Sequence, residues 1–176
     1  MLTSRTIARD TVLLLLVGGL AVIGAAWGFQ LIGGYIPCKL CLEQRVPYYV
    51  GLPLALVALF LMQMRRHGLA AGLLCIVAIV FAYGAGLGAY QAGAEWAFWD
   101  GPNDCGGGAS TPTSAADMLS ALQSVKVVSC TEASWRMFGL SFAGWNAVAS
   151  SGLTLLAALA AFLSLRSVRK QEASHA

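Results

Sequence analysis

Five cysteines stand in this chain of 176 residues, at positions 38, 41, 75, 105 and 130. Cys38 and Cys41 enclose Lys39 and Leu40, a C-x-x-C spacing that permits a small, strained disulfide ring whose potential the surroundings tune. Cys105 and Cys130 lie 25 positions apart. The rival readings of such cysteines are a zinc site and a purely structural bridge. Four-cysteine zinc sites usually bring two C-x-x-C units, and the second pair is too widely spaced for that. Structural bridges serve mostly small soluble scaffolds that lack a sufficient core. Thiol–disulfide chemistry is the leading expectation. Arg45 follows Cys41 by four positions, about one helical turn. A guanidinium there favours a thiolate at Cys41; an arginine snorkelling to an interface is the plain alternative. Pro47 allows a helix here only from within its first turn.

The elements that must position these sulfurs are apolar. Hydrophobic residues make up 58% of the chain and charged ones 11%, with a mean hydropathy of +0.71. A soluble domain of this size needs more charge to cover its surface. Four stretches are long enough to cross a bilayer, at about 11–31, 46–64, 69–90 and 140–165. Their Ala, Gly, Leu and Val content favours helices over barrel strands. The expected fold is an all-α membrane protein, a four-helix transmembrane bundle forming one integral membrane domain over 1–176. Arg5 and Arg9 precede the first stretch as in a signal peptide, but its apolar run is longer than such a region and lacks a clean cleavage site. It reads as a retained anchor. The net charge of +3 is too small for a nucleic-acid binder.

Basic residues give the orientation. Arg5, Arg9, Arg65, Arg66, Arg166, Arg169 and Lys170 fall on one side; Lys39, Arg45, Lys126 and Arg136 fall on the other, seven against four. The richer side stays in the cytoplasm, so both termini are expected inside and segments of about 33–45 and 91–139 outside. Four of the five cysteines then lie on the outer side, where an oxidising compartment favours disulfides. Cys75, inside a span, faces hydrocarbon or a neighbouring helix and reads as a small hydrophobe. Cys105 sits in Asn-Asp-Cys-Gly-Gly-Gly, a stretch without bulk that reads as exposed to another protein's thiolate, or simply as a linker. Ser114 to Asp117 looks like a capping box, and Met118, Leu119, Leu122 and Val125 form an apolar stripe. A short horizontal helix is expected there, on the membrane surface or on the bundle's top. Gly24/Gly28 and Gly84/Gly88 invite close helix packing. Tyr35, Tyr48 and Tyr49 fit an outer aromatic belt.

With those residues placed, the chain resembles the DsbB family of disulfide bond formation proteins. The resemblance rests on the four spans, the two cysteine pairs and local motifs. These are Pro37-Cys38-Lys39-Leu40-Cys41 followed by Gln44-Arg45-x-Pro47-Tyr48, then Phe138-Gly139-Leu140-Ser141 with Gly144-Trp145-Asn146. It implies a protein-dithiol:quinone oxidoreductase of the bacterial inner membrane. Such an enzyme reoxidises a periplasmic DsbA-like partner of thioredoxin fold and passes the electrons to ubiquinone or menaquinone, with no metal. By resemblance, Cys105 is attacked by the partner, Cys130 is its mate and exchanges with Cys38, and Cys41 stands beside the quinone. Arg45 matches the family's quinone-side arginine, with Gln44 and Tyr48 joining Cys41 and Arg45 as cofactor-binding candidates.

One departure concerns the histidine that some members carry near the quinone after the third helix. The only histidines here, His67 and His175, fall on the expected cytoplasmic side. The matching region runs from Gln91 through Glu95 to Trp96, and any of the three is a candidate pocket residue; a belt explains Trp96 and Trp99 as well. A quinone-linked enzyme of the vitamin K epoxide reductase type is a rival, though there the quinone-side C-x-x-C belongs near the last helix. A scaffold whose disulfides merely brace its loops is another.

Overall fold

The computed structural model describes residues 2–101, 126–127, 133 and 135–172. Helix α1 spans Leu2–Leu31, and strand β1 covers Tyr35–Ile36. The short helix α2 is Lys39–Glu43, followed by α3 at Val46–Gln63 and α4 at His67–Glu95. Strand β2 is Lys126–Val127; β3 (Arg136–Met137) and β4 (Leu140–Ser141) lead into α5, Phe142–Glu172. The four long helices are each apolar and long enough to cross a membrane. The chain is all-helical apart from four two-residue strands among the described residues. The horizontal helix expected from Ser114 onward lies outside the described residues, as do Cys105 and Cys130.

Burial follows from a lipid setting rather than an aqueous one. Leu14, Ile79 and Leu155 are 58%, 69% and 71% exposed on the bundle's outer surface. Such a girdle of large apolar side chains is tolerated where the solvent is hydrocarbon and marks an interaction surface elsewhere. Inside, two clusters stack along the bundle. One joins Val12, Ala58, Met62, Leu74 and Ala160; the other joins Leu15, Tyr48, Ala55, Phe81 and Ala157. Helix α4 packs mainly on α5 and then α3, while α1 closes the bundle against α5 and α3. Alanine and glycine on these seams let backbones approach, where dispersion replaces the hydrophobic drive that lipid cannot supply.

Gly84 and Gly88 meet the expectation of close packing. A Cβ on Gly88 would lie 2.8 Å from the backbone nitrogen of Ala147 and 2.9 Å from the carbonyl of Ala143. Gly24 and Gly28 do not, since nothing lies within 4 Å of a Cβ added there. The spacing alone cannot say whether a neighbour stands opposite. Gly88→Ala is therefore expected to destabilise the bundle by about 1–3 kcal/mol through overpacking against α5 backbone. Gly24→Ala should be neutral or mildly stabilising through helix propensity. Unfolding of the two variants in mixed micelles checks the contrast.

Two small pairings organise the end of the bundle that carries the sulfurs. Strand β1 pairs in parallel with β2, Tyr35 with Lys126 and Ile36 with Val127. Strands β3 and β4 form an antiparallel hairpin whose turn residues, Phe138 and Gly139, have φ of 51° and 83°. Two successive positive φ angles are what a twisted two-residue hairpin requires. Ser141 then accepts the backbone N–H of Gly144 at 3.2 Å, capping the start of α5.

Candidate functional site

The Cys-Lys-Leu-Cys segment is a helix start. Cys38 is the N-cap of α2, in extended conformation, and its Sγ accepts the Cys41 N–H at 3.3 Å. The cap bond brings the residue three positions on back over the cap, as side-chain caps generally do. The two sulfurs consequently lie 2.8 Å apart, as thiols not joined by a disulfide. Their surroundings differ. Cys38 is fully buried, whereas Cys41 is partly open and lines a cavity of about 470 Å³.

Aromatic rings build one wall of that cavity. Phe142 at the head of α5 stacks on Trp135 at 4.8 Å and meets Phe29 of α1 edge-on at 4.9 Å. Tyr35 of β1 packs on Phe142 at 5.7 Å. The polar residues on its lining are Gln30, Gln44, Arg45, Tyr48 and Asn146. All four residues expected to hold a cofactor, Cys41, Gln44, Arg45 and Tyr48, thus border one space.

Arg45 ends the turn between α2 and α3 and is 9% exposed. Its Nη1 donates to Gln30 Oε1 at 2.6 Å, and its guanidinium sits 5.4 Å from the centre of the Trp27 ring. Among the described residues the one ion pair is Arg9–Asp10, so no carboxylate there neutralises Arg45. A buried cation without a counter-charge is costly. The neutral amide and the ring hold the side chain in place while leaving its charge uncompensated. The hydrogen bonds on the Cys41 sulfur come from Cys38 and Gln91, not from Arg45.

Tyr48 is not a belt residue. It is 2% exposed, its ring packs edge-on to Phe81 at 5.5 Å, and its hydroxyl donates to Asn146 Oδ1 at 2.8 Å. Tyr49 turns outward and accepts from Trp27 Nε1 at 2.9 Å. The pocket role left open among Gln91, Glu95 and Trp96 falls differently on each. Gln91 is 1% exposed, with Nε2 3.6 Å from the Cys41 sulfur and 3.8 Å from that of Cys38. Glu95 touches Gln91 rather than the cavity. Trp96 is exposed and packs on Phe98. Cys75 is exposed on α4, facing outward rather than into a neighbouring helix.

Several cavity residues carried no assigned role on sequence grounds. Gln30 interrupts an apolar run, and a strongly polar side chain inside a span is itself a signal. Asn146 stood in a quoted motif without a function. Phe29 is more than a hundred positions from Trp135 and Phe142 and meets them only in three dimensions.

Residues 8–160 match the family model described as disulfide bond formation protein DsbB. The chain belongs to the DsbB family. Neither a curated protein nor a solved structure matches it. DsbB membership makes it a thiol oxidoreductase with a role in disulfide bond formation. The DsbB family is generally quinone-linked and points to a DsbA-type partner. With four candidate spans, this DsbB-family chain is a multi-pass membrane protein.

Proposed function

We propose that the chain reoxidises a periplasmic DsbA-type dithiol by thiol–disulfide exchange and delivers the electrons to ubiquinone or menaquinone in the bacterial inner membrane. One observation carries this reading: Cys41 and a buried Arg45, which pairs with no carboxylate among the described residues, border the same aromatic-walled cavity. A cavity of about 470 Å³ falls in the range used for small ligands and cofactors, and its mostly apolar lining with a few convergent polar groups suits a flat ring bearing carbonyl oxygens. Arg45, Gln44, Tyr48 and Asn146 would hold such a ring. Bound there, a quinone supplies a two-electron acceptor.

The chain's own residues account for the rest. A partner thiolate attacks Cys105 of a Cys105–Cys130 disulfide, forming a mixed disulfide and releasing Cys130 as a thiolate. The partner's second thiol resolves that mixed disulfide and leaves as the oxidised partner. Cys130 thiolate attacks Cys38 of a Cys38–Cys41 disulfide and Cys41 leaves; Cys105 thiolate then attacks Cys130, restoring the Cys105–Cys130 disulfide and releasing Cys38, so that the electron pair rests on the Cys38/Cys41 dithiol. Departure is faster when the leaving thiolate is stabilised. The Gln91 amide at Cys41 supplies that stabilisation. Cys105 and Cys130 lie outside the described residues, so their part rests on the DsbB-family pattern. The parallel β1–β2 pairing supports the exchange, because it joins the chain just before Cys38 to the chain just before Cys130. Both termini lie in the cytoplasm and the segments 33–45 and 91–139 in the periplasm.

The test is direct. Purified protein in detergent is mixed with a reduced DsbA-type protein and a soluble ubiquinone analogue, and quinone absorbance is followed. Loss of quinone matched one-to-one by oxidised partner supports the reading; an inert protein refutes it. A Cys130→Ser variant mixed with the oxidised partner should additionally form a mixed disulfide, its Cys105 thiolate attacking the partner's disulfide and releasing the partner's other cysteine as a thiolate.

A further inference from the structure

A hydrogen-bonded chain of side chains crosses the bundle just behind the cavity. Tyr48 Oη lies 3.0 Å from Ser150 Oγ and donates to Asn146 Oδ1 at 2.8 Å. Asn146 Nδ2 donates to Gln44 Oε1 at 2.7 Å, and Gln44 Nε2 donates to Gln91 Oε1 at 2.6 Å. Gln91 Nε2 donates to Glu95 Oε1 at 3.3 Å, while the same nitrogen lies 3.6 and 3.8 Å from the two sulfurs and the amide oxygen stands farther from Cys41, at 3.9 Å. Every bond runs in one sense and ends on a carboxylate. Because the tyrosine proton is committed to Asn146, Ser150 must donate to Tyr48.

An amide can be turned over in place with little change in shape, so shape alone does not decide which end of Gln91 meets the sulfurs. An ionised carboxylate does decide it, because it only accepts. We propose that Glu95 is a positioning residue whose carboxylate, hydrogen-bonded to Gln91, holds the N–H end of that amide against Cys38 and Cys41. Turned the other way, Gln91 would present a carbonyl oxygen to a sulfur that must carry negative charge. Gln44 and Asn146 follow in sequence, so the orientation of the amides along the cavity wall is set from Glu95. The Arg136 guanidinium holds the Glu95 backbone, donating to its carbonyl at 3.3 Å. The inference rests on Cys41 acting as a thiolate, and it assigns Glu95 no contact with the cavity.

The opposing physical effect gives the test its sign. Glu95 is a negative charge near Cys41, and deleting such a charge by itself makes a thiolate easier to form. Loss of the amide's orientation makes it harder. The readout is the pH profile of iodoacetamide labelling at Cys41 in the reduced full-length protein, resolved by peptide mass. Glu95→Gln keeps size and removes the obligation to accept. It is expected to move the labelling midpoint upward by about half to one pH unit, slowing labelling near neutrality about three- to tenfold. Glu95→Asp should restore most of the wild-type rate. Gln91→Met should show the same upward movement, and adding Glu95→Gln to it should change nothing more. A midpoint that is unmoved or moves downward in Glu95→Gln overturns the proposal, as does a further shift in the double variant. Turnover with quinone plays no part in this readout, so a failed oxidoreductase reading and a failed Glu95 role are told apart.

Discussion

Cys41→Ser is expected to lower quinone reduction driven by a reduced DsbA-type partner by at least about a thousandfold. Removing the group that forms the covalent intermediate generally costs at least that much. A hydroxyl is close in size to a thiol, so the bundle should keep its fold. It can neither form the Cys38 disulfide nor leave as a stabilised anion. The measurement is the initial rate of quinone absorbance loss in detergent, with the partner's redox state followed in parallel. The variant should still form the Cys105-linked mixed disulfide with the partner, because that exchange does not require position 41. Wild-type turnover in Cys41→Ser would remove the 38/41 pair from the electron route and favour a bracing scaffold.

Arg45→Ala has the second largest expected effect, and it should be selective. Among the described residues the buried guanidinium is held by Gln30 and Trp27 and lines the cavity, so its charge acts on whatever fills that space. Hydrogen bonds involving a charged group contribute about 1.5–3 kcal/mol. Their loss corresponds to a fall of roughly ten- to a hundredfold in kcat/KM for quinone. The rate of exchange with the reduced partner should change far less. Arg45→Lys should recover only part of the loss, because an ammonium cannot bond Gln30 as a planar fork and stack on Trp27 as well. Separate quinone and partner titrations check both statements. Unaltered quinone kinetics in Arg45→Ala would make the residue an interfacial arginine and no more.

The histidine absent from the matching region has a consequence for chemistry. In the region where some DsbB members carry a histidine, this chain sets the Gln91 amide against its sulfurs. An amide can orient and stabilise charge but cannot deliver a proton. Among the described residues, the Glu95 carboxylate is linked to the pair through that amide.

Much of this was legible from the residues alone because it depends on short spacing and on total apolarity. Runs of about twenty apolar residues declare helices in lipid whatever their neighbours are. Cys38, Cys41, Gln44, Arg45 and Tyr48 fall within three turns' length of chain, so their proximity follows from local helix geometry. The tertiary structure alone decided how these residues are shared out. It buries Cys38 and opens Cys41 to the cavity, turns Tyr48 inward and Tyr49 outward, and selects Gln91 over Trp96 as the neighbour of the sulfurs. The aromatic wall of Phe29, Trp135 and Phe142, and the amide chain through Asn146, join residues from opposite ends of the sequence. The physical reason is that a helix's periodicity defines faces without saying which partner each face meets, and only packing among four helices settles that.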